Sequence, residues 1–250
     1  MKPFITLLLA VLAAAAQAAP ACMRKSPAHT VPLVELYTSE GCDSCPPADR
    51  YLSTLRGSDA VVLSMHVDYW NYLGWKDPFA RAEISERQRA LADLAGSRTI
   101  YTPELFTGGR ELRGGPGRWD GAVPQALARL RAQPARAGIT LLLDAPRAAG
   151  LPVEARVRAP GGGTLHLALV QNDLSVQVGA GENRGRLLHH DFVVRDWLVP
   201  VALPADGDAV IKRSFLLPAG ADRAKLAVAA FVQSGDGQIL QALQLPLCGN

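Results

Sequence analysis

Only four of the 250 residues are cysteine, and two of them stand three positions apart in Gly41-Cys42-Asp43-Ser44-Cys45-Pro46. Two thiols at that spacing support three chemistries. As a dithiol that opens and closes, one sulfur attacks a partner's disulfide and the other releases it. As a soft ligand pair they hold Cu(I), with His66 as a third donor, or Zn(II) if two more Cys or His follow at ligand spacing. As a permanent disulfide they staple a turn. No second ligand pair follows, which argues against zinc. Val34-Glu35-Leu36-Tyr37 reads as a buried strand and Pro47 to Leu55 as a helix, so Cys42 falls at a helix mouth. Unpartnered backbone N–H groups and the helix dipole there stabilise a thiolate, lowering a cysteine pKa from about 8.5 to roughly 3.5–7.5. Cys45, one turn further in, is then the sheltered resolving thiol. Glu40 and Asp43 work against the thiolate, so the direction of electron flow stays open.

Three further groups bear on this chemistry. Thr102-Pro103 lies some sixty residues on, where a proline opening a strand beside the Cys42 helix is tolerated and a cis bond would aim the preceding backbone at the sulfurs. Asp68-Tyr69-Trp70-Asn71-Tyr72-Leu73-Gly74-Trp75 sets four aromatics directly after the second strand; they either wall a groove over Cys42 or cover the core. Gly181-Glu182-Asn183-Arg184-Gly185-Arg186 reads as a structural turn, and in the His189-His190 pair that follows, the two rings face opposite sides of a strand. Cys22 and Cys248 sit at the two extremities of the chain. If the ends meet, they close nearly the whole protein, a constraint of about 5 kcal/mol on the unfolded chain.

From Pro32 to about Gln133, apolar runs alternate with helical patterns in the order strand, helix, strand, helix, hairpin, helix, the grammar of an α/β layer. The second strand is Ala60 to Val67 and the second helix spans 80–95. Glu104-Leu105-Phe106 and Glu111-Leu112-Arg113 form a hairpin about Gly108-Gly109, and a last helix runs from Ala122 to Ala132. From Gly138 on, about seven short alternating strands separated by Pro, Gly and Asp turns argue a β-sandwich. The expected layout is therefore an α/β domain over 30–134 and an all-β, sandwich-like domain over 138–248. Residues 1–18, with Lys2, an apolar run and the triplet Ala16-Gln17-Ala18, read as a cleaved signal peptide. That places the protein in a secreted or periplasmic setting, which permits disulfides, with no membrane span in the mature form. The formal net charge of +3, spread among acidic residues, gives no footprint for nucleic acid.

VELYTSEGCDSCPPAD, HVDYWNYLGWKDPFA, YTPELFTGG and GENRGRLLHHDFVVR together resemble the secreted thioredoxin-like proteins grouped as the DUF1223 family, and Leu33 to Gln133 resembles a thioredoxin-fold domain. That resemblance implies thiol–disulfide exchange with protein thiols or disulfides and needs no organic cofactor. Residue by residue it implies Cys42 as the attacking and Cys45 as the resolving cysteine, and Pro103 as the cis-proline. Thr102 becomes the backbone that pairs with an extended substrate, with Tyr101 and Trp70 as further substrate-binding candidates. Glu35 falls near the buried carboxylate that passes a proton to the resolving thiol, one residue further from Cys42 than the usual offset. Gly41 stands where an aromatic residue is usual. Copper transfer through Cys42, Cys45 and His66, and a binding module with a structural disulfide, remain as alternatives.

Overall fold

A computed structural model of the protein describes residues 22–147 and 150–248; the leader expected over residues 1–18 lies outside them. In chain order the elements are β1 (Cys22–Lys25), β2 (Leu33–Thr38), α1 (Pro46–Ser53), β3 (Val61–His66), α2 (Ala82–Leu94), β4 (Glu104–Thr107), β5 (Arg110–Glu111), α3 (Pro116–Arg131), β6 (Gly138–Leu143), β7 (Leu151–Arg158), β8 (Gly163–Gln171), β9 (Leu174–Gln177), β10 (Leu187–His190), β11 (Val193–Trp197), β12 (Val201–Leu203), β13 (Asp208–Phe215), β14 (Leu226–Gln233) and β15 (Ile239–Pro246). The fold is mixed α/β and dominated by β-sheet. Among the described residues no helix is long and apolar enough to cross a membrane. The last helix of the first half starts two turns before its expected position, because Pro116 fits the first helical position after Gly115 and buried Trp119 and Val123 anchor the turns that contain Gly117 and Gly121.

Hydrogen bonding does not stop where the helices do. One sheet runs β15-β14-β8-β11-β3-β2-β4-β5, with β12 paired to β8, so its order passes through both halves. The join is β3 beside β11, parallel, with Val193 opposite Ser64. A second sheet, β1-β6-β7-β13, faces the β8–β14–β15 end of the first. Side chains on a strand alternate between faces. On β8 and β14 both faces are covered: Leu165, Leu167, Leu169, Val228 and Ala230 fill the layer between the sheets. Ala168, Val170, Ala229 and Phe231 turn the other way, into the helix-covered core. Strict in–out alternation is therefore seen on β6 and β7 and lost on β14, which is buried throughout. Each fully buried Val, Leu or Phe contributes about 1.5–3 kcal/mol, so these two strands anchor the molecule.

Two further contacts weld the halves. The β4–β5 turn docks on the β14–β15 turn, where Ile239 N donates to Gly108 O at 3.3 Å. Gly109, with φ of 82°, leaves no room for a Cβ against Gly237 O. Across the other face lies α2, whose Arg87 reaches Glu35 on β2 and Gln233 on β14.

Candidate functional site around the Cys42–Cys45 disulfide

Cys42 and Cys45 are joined in a disulfide with Cα atoms 5.4 Å apart. The loop leaving β2 turns through Cys42 N to Ser39 O and Cys45 N to Cys42 O, and Cys45 caps α1. The sequence predicts free backbone amides facing Cys42, and the structure corrects this. The first two helical residues are Pro46 and Pro47, which carry no N–H, and the next two amides, Ala48 N and Asp49 N, both donate to Cys45 O. The polar partner of Cys42 Sγ is instead Ser44 Oγ at 3.4 Å. Cys42 is 1% exposed and Cys45 0%. The pair faces inward.

Its walls come from both halves of the chain. Gly41 packs so closely on Trp70 that a Cβ would lie 3.0 Å from the Trp70 Cβ; the aromatic ring absent from position 41 is supplied by position 70. Trp70 Nε1 donates to Thr102 Oγ1 at 2.7 Å, and the Thr102–Pro103 peptide is cis. Tyr101, half-exposed beside them, donates through its hydroxyl to Glu111 at 2.7 Å. The four aromatics divide their tasks: Tyr69 packs against the core, Tyr72 is exposed, Trp70 touches the Cys42 loop, and Trp75 Nε1 donates to Glu40 Oε2 at 2.7 Å. Opposite stands the loop between β9 and β10. Fully buried Asn183 donates through Nδ2 to Glu40 O at 2.9 Å and to Cys42 O at 2.8 Å, while Arg186 donates to its Oδ1. Glu182 accepts from Asp43 N at 3.0 Å. The segment read as a structural turn is a turn, and it also grips the disulfide loop from 141 residues away.

Behind the disulfide lies a buried polar cluster. Asp77 Oδ2 accepts from Glu40 N at 2.9 Å and lies 2.7 Å from His66 Nδ1. His190, 1% exposed, has Nε2 3.3 Å from Glu40 Oε1 and Nδ1 3.9 Å from Asp49 Oδ2. Its ring meets that of His66 edge-on with centroids 5.0 Å apart, and Phe79 packs against both. Asp49 stands one turn beyond Cys45 on α1, beside Thr38. Burial alone would strip the proton from His66; the Asp77 carboxylate outweighs it and His66 holds its proton above the usual range. For Asp77, burial opposes ionisation, but His66 and two backbone amides keep its carboxyl below the usual range. Burial pushes Asp49 up, with His190 and His66 offsetting only part of that.

The structure brings Cys42, Cys45, Trp70, Thr102, Tyr101 and Pro103 into one region and leaves Glu35 out of it. Residues on β2 alternate: Thr38 faces α1, whereas Glu35 faces α2, where Arg87 holds it through Nε to Oε1 at 2.6 Å and an Nη to Oε2 at 3.1 Å. The buried carboxylates on the disulfide side are Glu40, Asp49 and Asp77. Cys22 and Cys248 are joined, 226 positions apart, with Cα atoms 5.9 Å apart. His66 turns one ring nitrogen to Asp77, and among the described residues no three His, Cys, Asp or Glu side chains are grouped to hold a metal ion. Sequence reasoning missed Asn183, Glu182, Asp49, Asp77 and His190 as neighbours of the disulfide. The one signal was the His189-His190 alternation, and it resolves with His189 exposed and His190 buried.

The family described as "Protein of unknown function (DUF1223)" matches residues 33–233, and the chain belongs to it. Among solved structures, the chain is similar to the X-ray crystal structure of protein AGR_C_4864 from Agrobacterium tumefaciens. That likeness has 29% identity and a TM-score of 0.65, and covers 87% of this chain and 95% of that one. HBP35 of Porphyromonas gingivalis shares the fold at 19% identity and a TM-score of 0.63, over 89% of this chain and 76% of its own. No curated protein matches the chain.

Proposed function

We propose that this protein is a secreted or periplasmic thiol–disulfide oxidoreductase built on a thioredoxin-like half, β2 to α3, with the second half covering and supporting its redox pair. The observation that carries the reading is the disulfide between Cys42 and Cys45 at the mouth of α1, walled by Trp70 and Thr102 and followed by a buried polar cluster. In the oxidising direction a substrate thiolate attacks Cys42 Sγ, forming a mixed disulfide and breaking the Cys42–Cys45 bond; Cys45 leaves with the bonding electron pair and takes a proton. The second substrate thiol then displaces Cys42. The substrate becomes a disulfide, and its two electrons rest on the two cysteines. The reverse sequence reduces a substrate disulfide. Ser44 Oγ, 3.4 Å from Cys42 Sγ, is placed to donate to the thiolate of Cys42.

One observation favours a second reading. Cys42 is 1% exposed and its loop is held by Asn183 and Glu182, so an outside thiol reaches it only after a rearrangement, and a disulfide so covered fits a structural staple in a binding module. The reduction potential separates the two. Equilibration of the protein in glutathione buffers, with trapping of free thiols, is expected to give a value between about −120 and −270 mV, the range of exchange proteins. A value below about −300 mV is that of a structural disulfide and ends the exchange reading. A Cys42→Ser variant is expected to lose dithiol oxidation completely while remaining folded. No organic cofactor enters this scheme, and the copper alternative through Cys42, Cys45 and His66 has no observation in its favour.

A further inference from the structure

Buried polar groups in folded proteins are nearly always hydrogen-bonded. Behind the disulfide they are not. His66 Nε2, both ring nitrogens of His190 and Glu40 Oε1 make no hydrogen bond, although all are buried. Imidazole nitrogens without partners can take or release a proton with no bond to break.

Reduction of the pair creates a need for such a group. A thiolate on Cys42 adds negative charge in a desolvated site already bordered by Glu40, Asp43 and Asp49, and an uncompensated buried charge is costly. Cations and carboxylates face His190 from every element packed on it. Glu40 comes from the β2–α1 loop and Asp49 from α1. His66 from β3 carries Asp77 behind it. Arg195 stacks on Phe79, the ring packed against His190, and Asp191 next in the chain is tied to Arg56. His66 is already committed to Asp77, which leaves His190, whose nitrogens make no hydrogen bond and meet only the Glu40 and Asp49 carboxylates, as the available base.

We propose that His190 is a positioning residue for the redox pair, held between Glu40 and Asp49, that takes up a proton when the Cys42–Cys45 disulfide is reduced and gives it back when the disulfide re-forms. The balance is one substrate dithiol plus the disulfide and neutral His190, giving a substrate disulfide, Cys45 thiol, Cys42 thiolate and His190 imidazolium: two electrons and two protons move, and net charge is unchanged. This rests on the exchange reading above. It also gives the second half of the chain, which supplies His190, a chemical part in the reaction.

The test is the midpoint potential of the full chain, measured in dithiothreitol buffers from pH 5.5 to 8.5. Two protons per two electrons change the equilibrium constant by two factors of ten per pH unit, about 59 mV, and one proton by about 30 mV. Wild type is expected to hold the two-proton slope in the upper part of the range. His190→Gln is expected to fall to the one-proton slope in the upper part of the range, where the Cys42 thiolate lacks its proton-bearing neighbour. A merely structural His190 would change the melting temperature and leave the slope alone, which overturns the proposal. Should His190→Gln not fold, NMR of the histidine rings in wild type decides: His190 is expected to titrate at higher pH in the reduced than in the oxidised protein, and identical titrations overturn the proposal. A pair that folded wild type cannot exchange with dithiothreitol overturns this inference and the exchange reading together; an exchangeable pair with an unchanged His190→Gln slope overturns this inference alone.

Discussion

Two buried charge clusters lie on opposite faces of the same strand, β2, and they are built on opposite plans. On the α2 face the Glu35 carboxylate is clasped at both oxygens by Arg87. A further Arg87 nitrogen donates to Gln233 at 3.1 Å, and the guanidinium stacks 4.8 Å over Phe231 and 5.3 Å over Trp197. On the α1 face, Glu40, Asp49, His66, Asp77 and His190 crowd together with nitrogens to spare. A saturated cluster holds one geometry and one protonation state. An unsaturated one can change charge in place, and it is the unsaturated one that backs the disulfide. The contrast lies between the two ion-pair groups: Glu35 and Arg87 satisfy each other, although His166 Nδ1 beside them is buried without a partner.

The sharpest way to break the comparison is to unpair the saturated cluster. Arg87 and Glu35 side chains are 7% and 1% exposed, so Arg87→Ala leaves a carboxylate buried without its counter-ion and is expected to cost about 3–5 kcal/mol, read as a drop in the urea midpoint. The double variant Glu35→Leu, Arg87→Met removes both charges and is expected to recover most of that loss, while the potential of the Cys42–Cys45 pair stays at its wild-type value. A potential that moved with Glu35→Leu, Arg87→Met would return Glu35 to the redox site.

A smaller effect should come from the clamp that the second half places on the first. Asn183→Ala removes the donations to Glu40 O and Cys42 O; Cys42 O keeps its bond from Cys45 N, and Glu40 O is left without its side-chain donor at about 1–3 kcal/mol. The same change lowers the cost of lifting the 178–186 loop, so reduction of the disulfide by dithiothreitol is expected to quicken by about tenfold for each 1.4 kcal/mol released. Unchanged reduction kinetics with lowered stability would show that the loop does not gate the sulfurs.

Much of this was open to sequence reasoning, for identifiable reasons. Period and punctuation placed β2, α1, β3, α2 and the Gly108-Gly109 hairpin within a few residues, because each is short, local and bounded by Pro or Gly. The two cysteine pairs followed from spacing and from the chain ends. The rest depended on long-range contacts. Nothing in Gly181-Glu182-Asn183 announces that it hydrogen-bonds a loop 141 residues earlier, and β3 beside β11 joins segments that local pattern assigns to different domains. Glu35 was misplaced for a simpler cause: offset from a cysteine says how far along a strand a carboxylate lies, and the two-residue period decides the face. The missing amides at the mouth of α1 were readable in Pro46-Pro47, since proline carries no N–H to offer a thiolate.

The smallest expected effect concerns the strand beside β2 on the α2 face, and it asks whether saturation there is complete. Glu104, directly after Pro103, is 3% exposed and accepts from Gln88 Nε2 at 2.6 Å. Burial, with Glu111 adding to it and Gln88 opposing, pushes its carboxyl from 4.5 up to about 7. An acid raised in the folded state keeps a proton that the unfolded chain has already released. Its contribution to stability is therefore full below about pH 4.5, lost progressively as pH rises to about 7, and flat above that. In Glu104→Gln this decline should disappear, so the urea midpoints of variant and wild type should draw apart between pH 4.5 and 7. The shift in the redox potential should be nil, because Glu104 pairs in register with Tyr37 and so shares the face of Glu35 and Arg87. A potential that followed Glu104 would mean that the α2 face also speaks to the disulfide, and the division between the two clusters would fail.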